Sequence, residues 1–199
     1  MAMALLMRMV EGGVLTMMAG YESGHVAVFV LKDEVWETGH ASQPHSQPVL
    51  GMGVHPKNAW SLSTSADALV VRHGLRDSKA GKVSNTKHSG LQQVAVRSDG
   101  KLFATAGWDG RFRVYSASTM KQLAVLMWHP VGCYSVAFAE ILDEDAGEEL
   151  ANVGSELVRL EGMQAVALTV EEARVKRESR KHWIAGGAKD GKISLWQIY

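Results

Sequence analysis

Histidine, a serine or threonine hydroxyl and aspartate are together the parts of a nucleophilic relay. In such a relay an imidazole oriented by a carboxylate takes the proton of an attacking hydroxyl. The chain carries three sets of this kind in order: His45, Ser63 and Asp67; His88, Thr105 and Asp109; and His129 with Asp190, where Gly186 stands at the hydroxyl position. A catalytic constellation occurs once, whereas these sets recur along the chain. A shared structural role is therefore the favoured reading, and a hydrolytic triad the competing one. The other histidines, His25, His40, His55, His73 and His182, lack the spacing of metal ligands. A single cysteine, Cys133, leaves neither a disulfide framework nor a thiolate zinc site. No glycine-rich phosphate loop ending in Gly-Lys-Ser or Gly-Lys-Thr is present. These residues imply no metal, no cofactor and no catalytic group.

The elements that must position them are strands. Glycine is abundant and proline scarce, and the apolar residues come in short runs broken by turn dipeptides. The clearest stretch runs from Leu91 to Leu126. Val94-Ala95-Val96 is followed by the turn Arg97-Ser98-Asp99-Gly100, then by a run from Lys101 to Gly107. Asp109-Gly110 makes a tight turn, since glycine accepts positive φ. Arg111 to Tyr115 alternates, with Phe112 and Val114 expected on one face and the arginines on the other. Lys121 to Leu126 closes a four-stranded meander of about 40 residues, the period of a propeller blade.

One marker tests the repeat: the turn between the second and third strands, followed six residues later by a ring. Ser23 leads to Phe29, Asp67 to His73, Asp109 to Tyr115 and Asp190 to Trp196. The turns are spaced by 44, 42 and 81 residues, the last being one blade plus an insertion. Four blades are expected, over about 2–38, 48–86, 90–126 and 133–199, the second degenerate because Arg72 replaces an apolar residue. In such blades a histidine before the first strand, a hydroxyl in the second, the turn aspartate and a ring in the third tie the strands together, because buried polar groups must be mutually bonded. The expected network comprises His88, Thr105, Asp109 and Tyr115 in the third blade, and His45, Ser63 and Asp67 in the second. In the fourth it comprises His129, Asp190 and Trp196. Trp36, Trp60 and Trp183 read as blade packing. Trp108, immediately before a turn, and Trp128, in the Trp128-His129-Pro130 linker, are the candidate partner contacts together with Arg111, because tryptophan and arginine are enriched at binding hot spots.

The insertion, 140–181, opens acidic at Asp143-Glu144-Asp145-Ala146-Gly147-Glu148-Glu149. It ends in a stretch suited to a charged helix, with Glu172 four residues before Lys176. It reads as a solvated excursion, with a partner-docking element as the other reading. Arg174-Val175-Lys176-Arg177 is a weak match to a nuclear-import patch.

With 199 residues, 46% of them hydrophobic, the chain is long enough for one core and too apolar for wholesale disorder. Twenty-one Lys and Arg against 21 Asp and Glu argue against non-specific nucleic-acid binding, which needs a basic surplus. A local basic patch stays open. The apolar start from Met1 to Met9 is too short to span a bilayer and is interrupted by Arg8. The reading is a soluble, intracellular protein in a reducing compartment, with no membrane partner.

Four segments carry a resemblance: Ala19 to Val28, Asn85 to Gly90, Phe103 to Arg111 and Lys189 to Trp196. They resemble the fungal ASTRA-associated protein 1 family, which is similar to the animal guanine nucleotide-binding protein β-subunit-like protein 1. The resemblance implies an all-β WD40-type propeller of about seven blades acting as a non-catalytic scaffold in the nucleus, with the cytoplasm as a second location. It further implies the ASTRA complex and chromatin regulation. The partners it implies are Tel2-Tti-type cochaperones, RuvB-like ATPases and phosphatidylinositol-3-kinase-related kinases (PI3-kinase-related kinases). A generic WD40 adaptor, either a ubiquitin-ligase receptor or a G-protein β-like signalling scaffold, is the alternative. Four blades are fewer than seven, so the chain is expected to form the C-terminal half of a propeller. Its last blade lacks a fourth strand, which leaves an unpaired edge.

Overall fold

The computed structural model describes residues 1–10, 12–75, 81–141 and 181–198. Among the described residues fifteen strands form four antiparallel sheets, each a meander in chain order. The first sheet holds β1 (Ala2–Val10), β2 (Val14–Tyr21), β3 (Val26–Lys32) and β4 (Val35–Ser42). The second holds β5 (Val49–Val54), β6 (Trp60–Ser65), β7 (Leu69–Gly74) and the short β8 (Val83–Asn85). The third holds β9 (Leu91–Val96), β10 (Leu102–Gly107), β11 (Arg111–Ser116) and β12 (Gln122–Met127). The fourth holds β13 (Cys133–Phe138), β14 (His182–Ala188) and β15 (Ile193–Ile198). The expected insertion, apart from its ends, lies outside the described residues, and so do its acidic loop, its charged helix and its basic patch.

Consecutive sheets meet chiefly through their first strands, β1 on β5, β5 on β9 and β9 on β13. This is the arrangement of partial-propeller blades around a common axis. Each junction has its own core. Met18, Val26 and Val28 pack on Val49 between the first two sheets. Leu62 and Val70 pack on Leu91, Phe103 and Tyr115 between the next two. Phe112 and Val114 pack on Cys133, Val136 and Ile184 at the last. Phe112 and Val114 stand three and five residues after their turn aspartate. Their counterparts in the fourth sheet, Ile193 and Leu195, are 72% and 65% exposed, because no sheet among the described residues follows.

Two local features differ from the sequence reading. The first blade runs on to Ser42, because a bulge between Val28 and Phe29 carries the β3–β4 ladder through His40, Ala41 and Ser42. The arginines of β11 do not share a solvent face. Arg111 is exposed, but Arg113 is among the most buried side chains of the chain. Both faces of this sheet are packed against neighbours, so alternation here selects between two cores and not between core and water.

The turns explain the glycines at two places. Gly110 has φ 77, and a Cβ there would lie 2.6 Å from the His129 carbonyl oxygen of the crossing linker. Ala68 takes the corresponding left-handed position in the second blade at φ 72, a conformation that costs an L-residue roughly 1 kcal/mol. Gly186 is needed for a different reason: the Phe112 ring lies where its Cβ would be. Gly186→Leu is expected to lower stability by about 3 kcal/mol by overpacking this junction, read as a lower urea midpoint. An unchanged midpoint would show that the junction is loosely packed.

Candidate interaction face and its polar supports

The linkers between sheets lie against the turns that join the second and third strands, and the repeated polar residues hold them there. The second blade shows the fullest set. His45, in the linker before β5, places Nδ1 3.2 Å from both carboxylate oxygens of Asp67. Its Nε2 is 2.7 Å from Ser63 Oγ on β6, and His73 Nε2 on β7 reaches the same oxygen at 2.8 Å. Donor must meet acceptor throughout, which fixes the order. His45 Nδ1–H donates to the carboxylate, Ser63 O–H donates to His45 Nε2, and His73 Nε2–H donates to Ser63. Asp67 also accepts the Ser46 and Leu69 amides at 2.9 and 3.0 Å, so one carboxylate ties the linker to the turn. Burial lowers the His45 pKa in spite of Asp67, and it brings His73 down to about 4, with His45 and His40 adding repulsion.

The fourth blade reaches the same end by another residue. His129 Nδ1 lies 3.4 Å from Asp190, and its Nε2 lies 2.8 Å from Ser194 Oγ on β15. Gly186 and Ser194 are cross-strand partners, so the hydroxyl missing from β14 is supplied from the facing strand. The Trp196 indole makes no hydrogen bond among the described residues and packs edge-on to Phe112, with ring centroids 5.4 Å apart.

The third blade departs from the expected network. His88 Nδ1 is 3.9 Å from Asp109, beyond hydrogen-bond distance, and the Thr105 hydroxyl has no partner among the described residues. The Tyr115 hydroxyl faces Thr105 without a well-formed hydrogen bond. Arg113 takes the carboxylate instead, donating Nη1–H and Nη2–H to the two Asp109 oxygens at 3.1 and 2.6 Å. Desolvation works against ionisation of Asp109. The Arg113 hydrogen bonds and charge outweigh it and hold the carboxyl below its ordinary range. Arg113 and Thr105 are cross-strand partners, as are Ser63 and Val71 in the second blade. Position four before or four after the turn aspartate thus supplies the partner in every case: Ser63, Arg113 or Ser194. That offset in the sequence would have found Arg113 and Ser194. His73 was legible only as a ring.

Two of these sets, Asp67–His45–Ser63 and Asp190–His129–Ser194, have the connectivity of a hydrolytic relay. Ser63 is fully buried, whereas Ser194, 8% exposed, borders a surface depression lined by Trp128, Ile193 and Leu195, and each hydroxyl is engaged by its histidine. Cys133 is buried as well, which pushes its thiol to about 11.

What these supports leave outside is aromatic and cationic. Trp108 is 47% exposed, lies against Gly90 and donates its Nε1–H to Gln92 Oε1 at 2.7 Å. Trp128, 57% exposed, stands edge-on to His129. Arg111 lines the same depression as Trp128, Met127 and Pro130. Exposed tryptophan and arginine are the residue types enriched at binding hot spots. Among the described residues no group of three or more His, Cys, Asp or Glu side chains is placed to hold a metal.

The family model for the WD domain, G-beta repeat, matches residues 81–116, which run from the end of the second blade through β11. ASTRA-associated protein 1 of Penicillium rubens is 39% identical over an alignment covering 100% of this chain and 55% of that protein. The protein of the same name from Verticillium alfalfae is 45% identical over 95% of this chain and 48% of its own length. Guanine nucleotide-binding protein subunit beta-like protein 1 of Mus musculus is 30% identical over 92% of this chain and 44% of that protein. The chain spans about half the length of the curated relatives it matches. Four radial sheets, a matching repeat and similarity that runs the length of the chain lead to one assignment: it belongs to the ASTRA-associated protein 1 family of WD-repeat proteins.

Proposed function

We propose that the chain is a non-catalytic WD-repeat scaffold acting in the ASTRA complex. The observation that carries this reading is the similarity, over 95–100% of this chain, to proteins named for that association. Engagement of both relay hydroxyls by buried histidines supports a role without catalysis, since the residues best suited to nucleophilic chemistry are spent on joining strands. The mechanism is rigid presentation: linkers tied to turns hold Trp108, Trp128 and Arg111 in place, so little side-chain ordering remains when a partner docks. The partners proposed are Tel2-Tti-type cochaperones, RuvB-like ATPases and PI3-kinase-related kinases. The site of action is the nucleus and the wider role chromatin regulation. A second reading, a G-protein β-like signalling adaptor or ubiquitin-ligase receptor, draws support from the name of the mouse relative.

Affinity capture with the tagged chain, read by mass spectrometry, separates the two. Recovery of cochaperone and RuvB-like components is expected, with Trp128→Ala cutting recovery about tenfold by removing an exposed anchor. Recovery of cullin adaptors or G-protein α subunits in their place would transfer the assignment to the second reading.

A further inference from the structure

The scaffold reading leaves the chemistry of the partner open, and the surface around Trp128 supplies it; the inference rests on that reading. Trp128 stands between two depressions. One, of about 420 Å³, includes Asp109, Arg111, Met127 and Pro130 in its lining. The other, of about 270 Å³, is lined by Ile193, Leu195 and Trp196 among others. The Lys192 ammonium lies 5.8 Å from the centroid of the Trp128 ring, within the range of a cation–π contact.

The charges on this face are unequal in availability. Asp109 is held by two hydrogen bonds from Arg113, and Asp190 by His129 and the Lys192 amide. Arg111, Lys189 and Lys192 are exposed, and among the described residues no carboxylate lies within ion-pair distance of their side chains. The acidic groups are engaged by donors of the frame, Asp109 with about a third of its side chain still exposed, while the cations face outward. Since the chain as a whole is neutral, this is a local patch and not a general basic surface.

We propose that this face binds an acidic segment of a protein partner. One apolar side chain of that segment seats against Trp128, Met127 and Pro130, and carboxylates to either side meet Arg111 and Lys192. Charge complementarity sets the partner and its orientation, while the desolvated indole contributes most of the affinity. A single-stranded nucleic acid uses cations and aromatic platforms too, but it needs a basic track with successive stacking rings. Here the Trp128 indole stands among the apolar walls of Met127, Pro130, Ile193 and Leu195, which suits a peptide side chain.

The test uses the full chain and a fluorescein-labelled dodecapeptide of Asp and Glu around a central leucine, followed by anisotropy. Its Asn/Gln counterpart and an oligothymidylate of equal length serve as the comparisons. The acidic peptide is expected to bind, and to bind more weakly as salt rises. The Arg111→Glu/Lys192→Glu variant is expected to lose about tenfold or more in affinity. Trp128→Ala is expected to lose a similar factor. The charge-reversed side chains are exposed, so an unchanged thermal melt accompanies the loss, and this variant stands alone if Trp128→Ala unfolds. Equal binding of the amide peptide, tighter binding of the oligonucleotide, no peptide binding, or unchanged affinity in the charge-reversed variant overturns the inference. Captured partners that survive charge reversal would leave the scaffold reading standing and remove only the acidic segment. Failure of the unmodified chain to capture them bears on the scaffold reading itself.

Discussion

Asp109→Ala is expected to destabilise the chain by about 2–3 kcal/mol, because it strands the Arg113 guanidinium in a junction that water does not reach. The figure sits at the low side of the cost of breaking a buried pair, since about a third of the Asp109 side chain is open to solvent and screens the interaction. The informative comparison is Asp109→Ala/Arg113→Leu. Removing both charges leaves nothing unpaired, so the double variant is expected to recover most of the lost stability. Urea unfolding midpoints of the two single variants and the double give the coupling directly. A single variant with the wild-type midpoint, or a double variant no better than Asp109→Ala, would show that the pair does not hold this blade. Had His88 and Thr105 been the partners, Arg113→Leu alone would be nearly silent.

The second large effect is acid lability above the range in which carboxylates titrate. His73 is held down to about 4 by burial, and His45 is also lowered by burial. Both stand near 6.5 in the unfolded chain, so between pH 6.5 and about 4 the unfolded state takes up protons that folded His73 refuses. Stability is full above pH 6.5 and falls as pH drops through this window. Each such group contributes about 1.4 kcal/mol per pH unit. His55, lowered by partial burial and by Lys57, adds in the same direction. The lowered carboxyls Asp99 and Asp109 act in a separate range, below their ordinary 3.8. His73→Phe is therefore expected to flatten the dependence of the urea midpoint on pH between 6.5 and 4 by about one proton, while leaving the decline at lower pH. A slope unchanged by that substitution would place the proton uptake elsewhere.

The two effects also show how the same hairpin solves one problem three ways. A turn aspartate needs a donor, and a buried linker imidazole needs a partner on its second nitrogen. The register puts the residues four before and four after the aspartate opposite each other, so either strand can provide the side chain. Ser63 does so from β6, Ser194 from β15, and Arg113 from β11 by displacing histidine altogether.

The sequence alone determined the meanders. Turn chemistry at Asp67, Asp109 and Asp190, and the short alternating runs around them, are local properties, and local hydrogen bonding and apolar spacing are enough to place β9 to β11, β13 and β14 within a residue or two. The expected trio of the second blade, His45, Ser63 and Asp67, is the set that the structure links, whereas the third-blade trio is not joined. What only the tertiary structure decided is how each blade faces its neighbours. Burial of Arg113, the need for Gly186 beneath the Phe112 ring and the exposure of Ile193 and Leu195 all depend on which sheet packs on which face. A strand in a two-sided sheet has no solvent face to mark in its alternation, so the pattern fixes the period and leaves the partner to be set by packing across the junction.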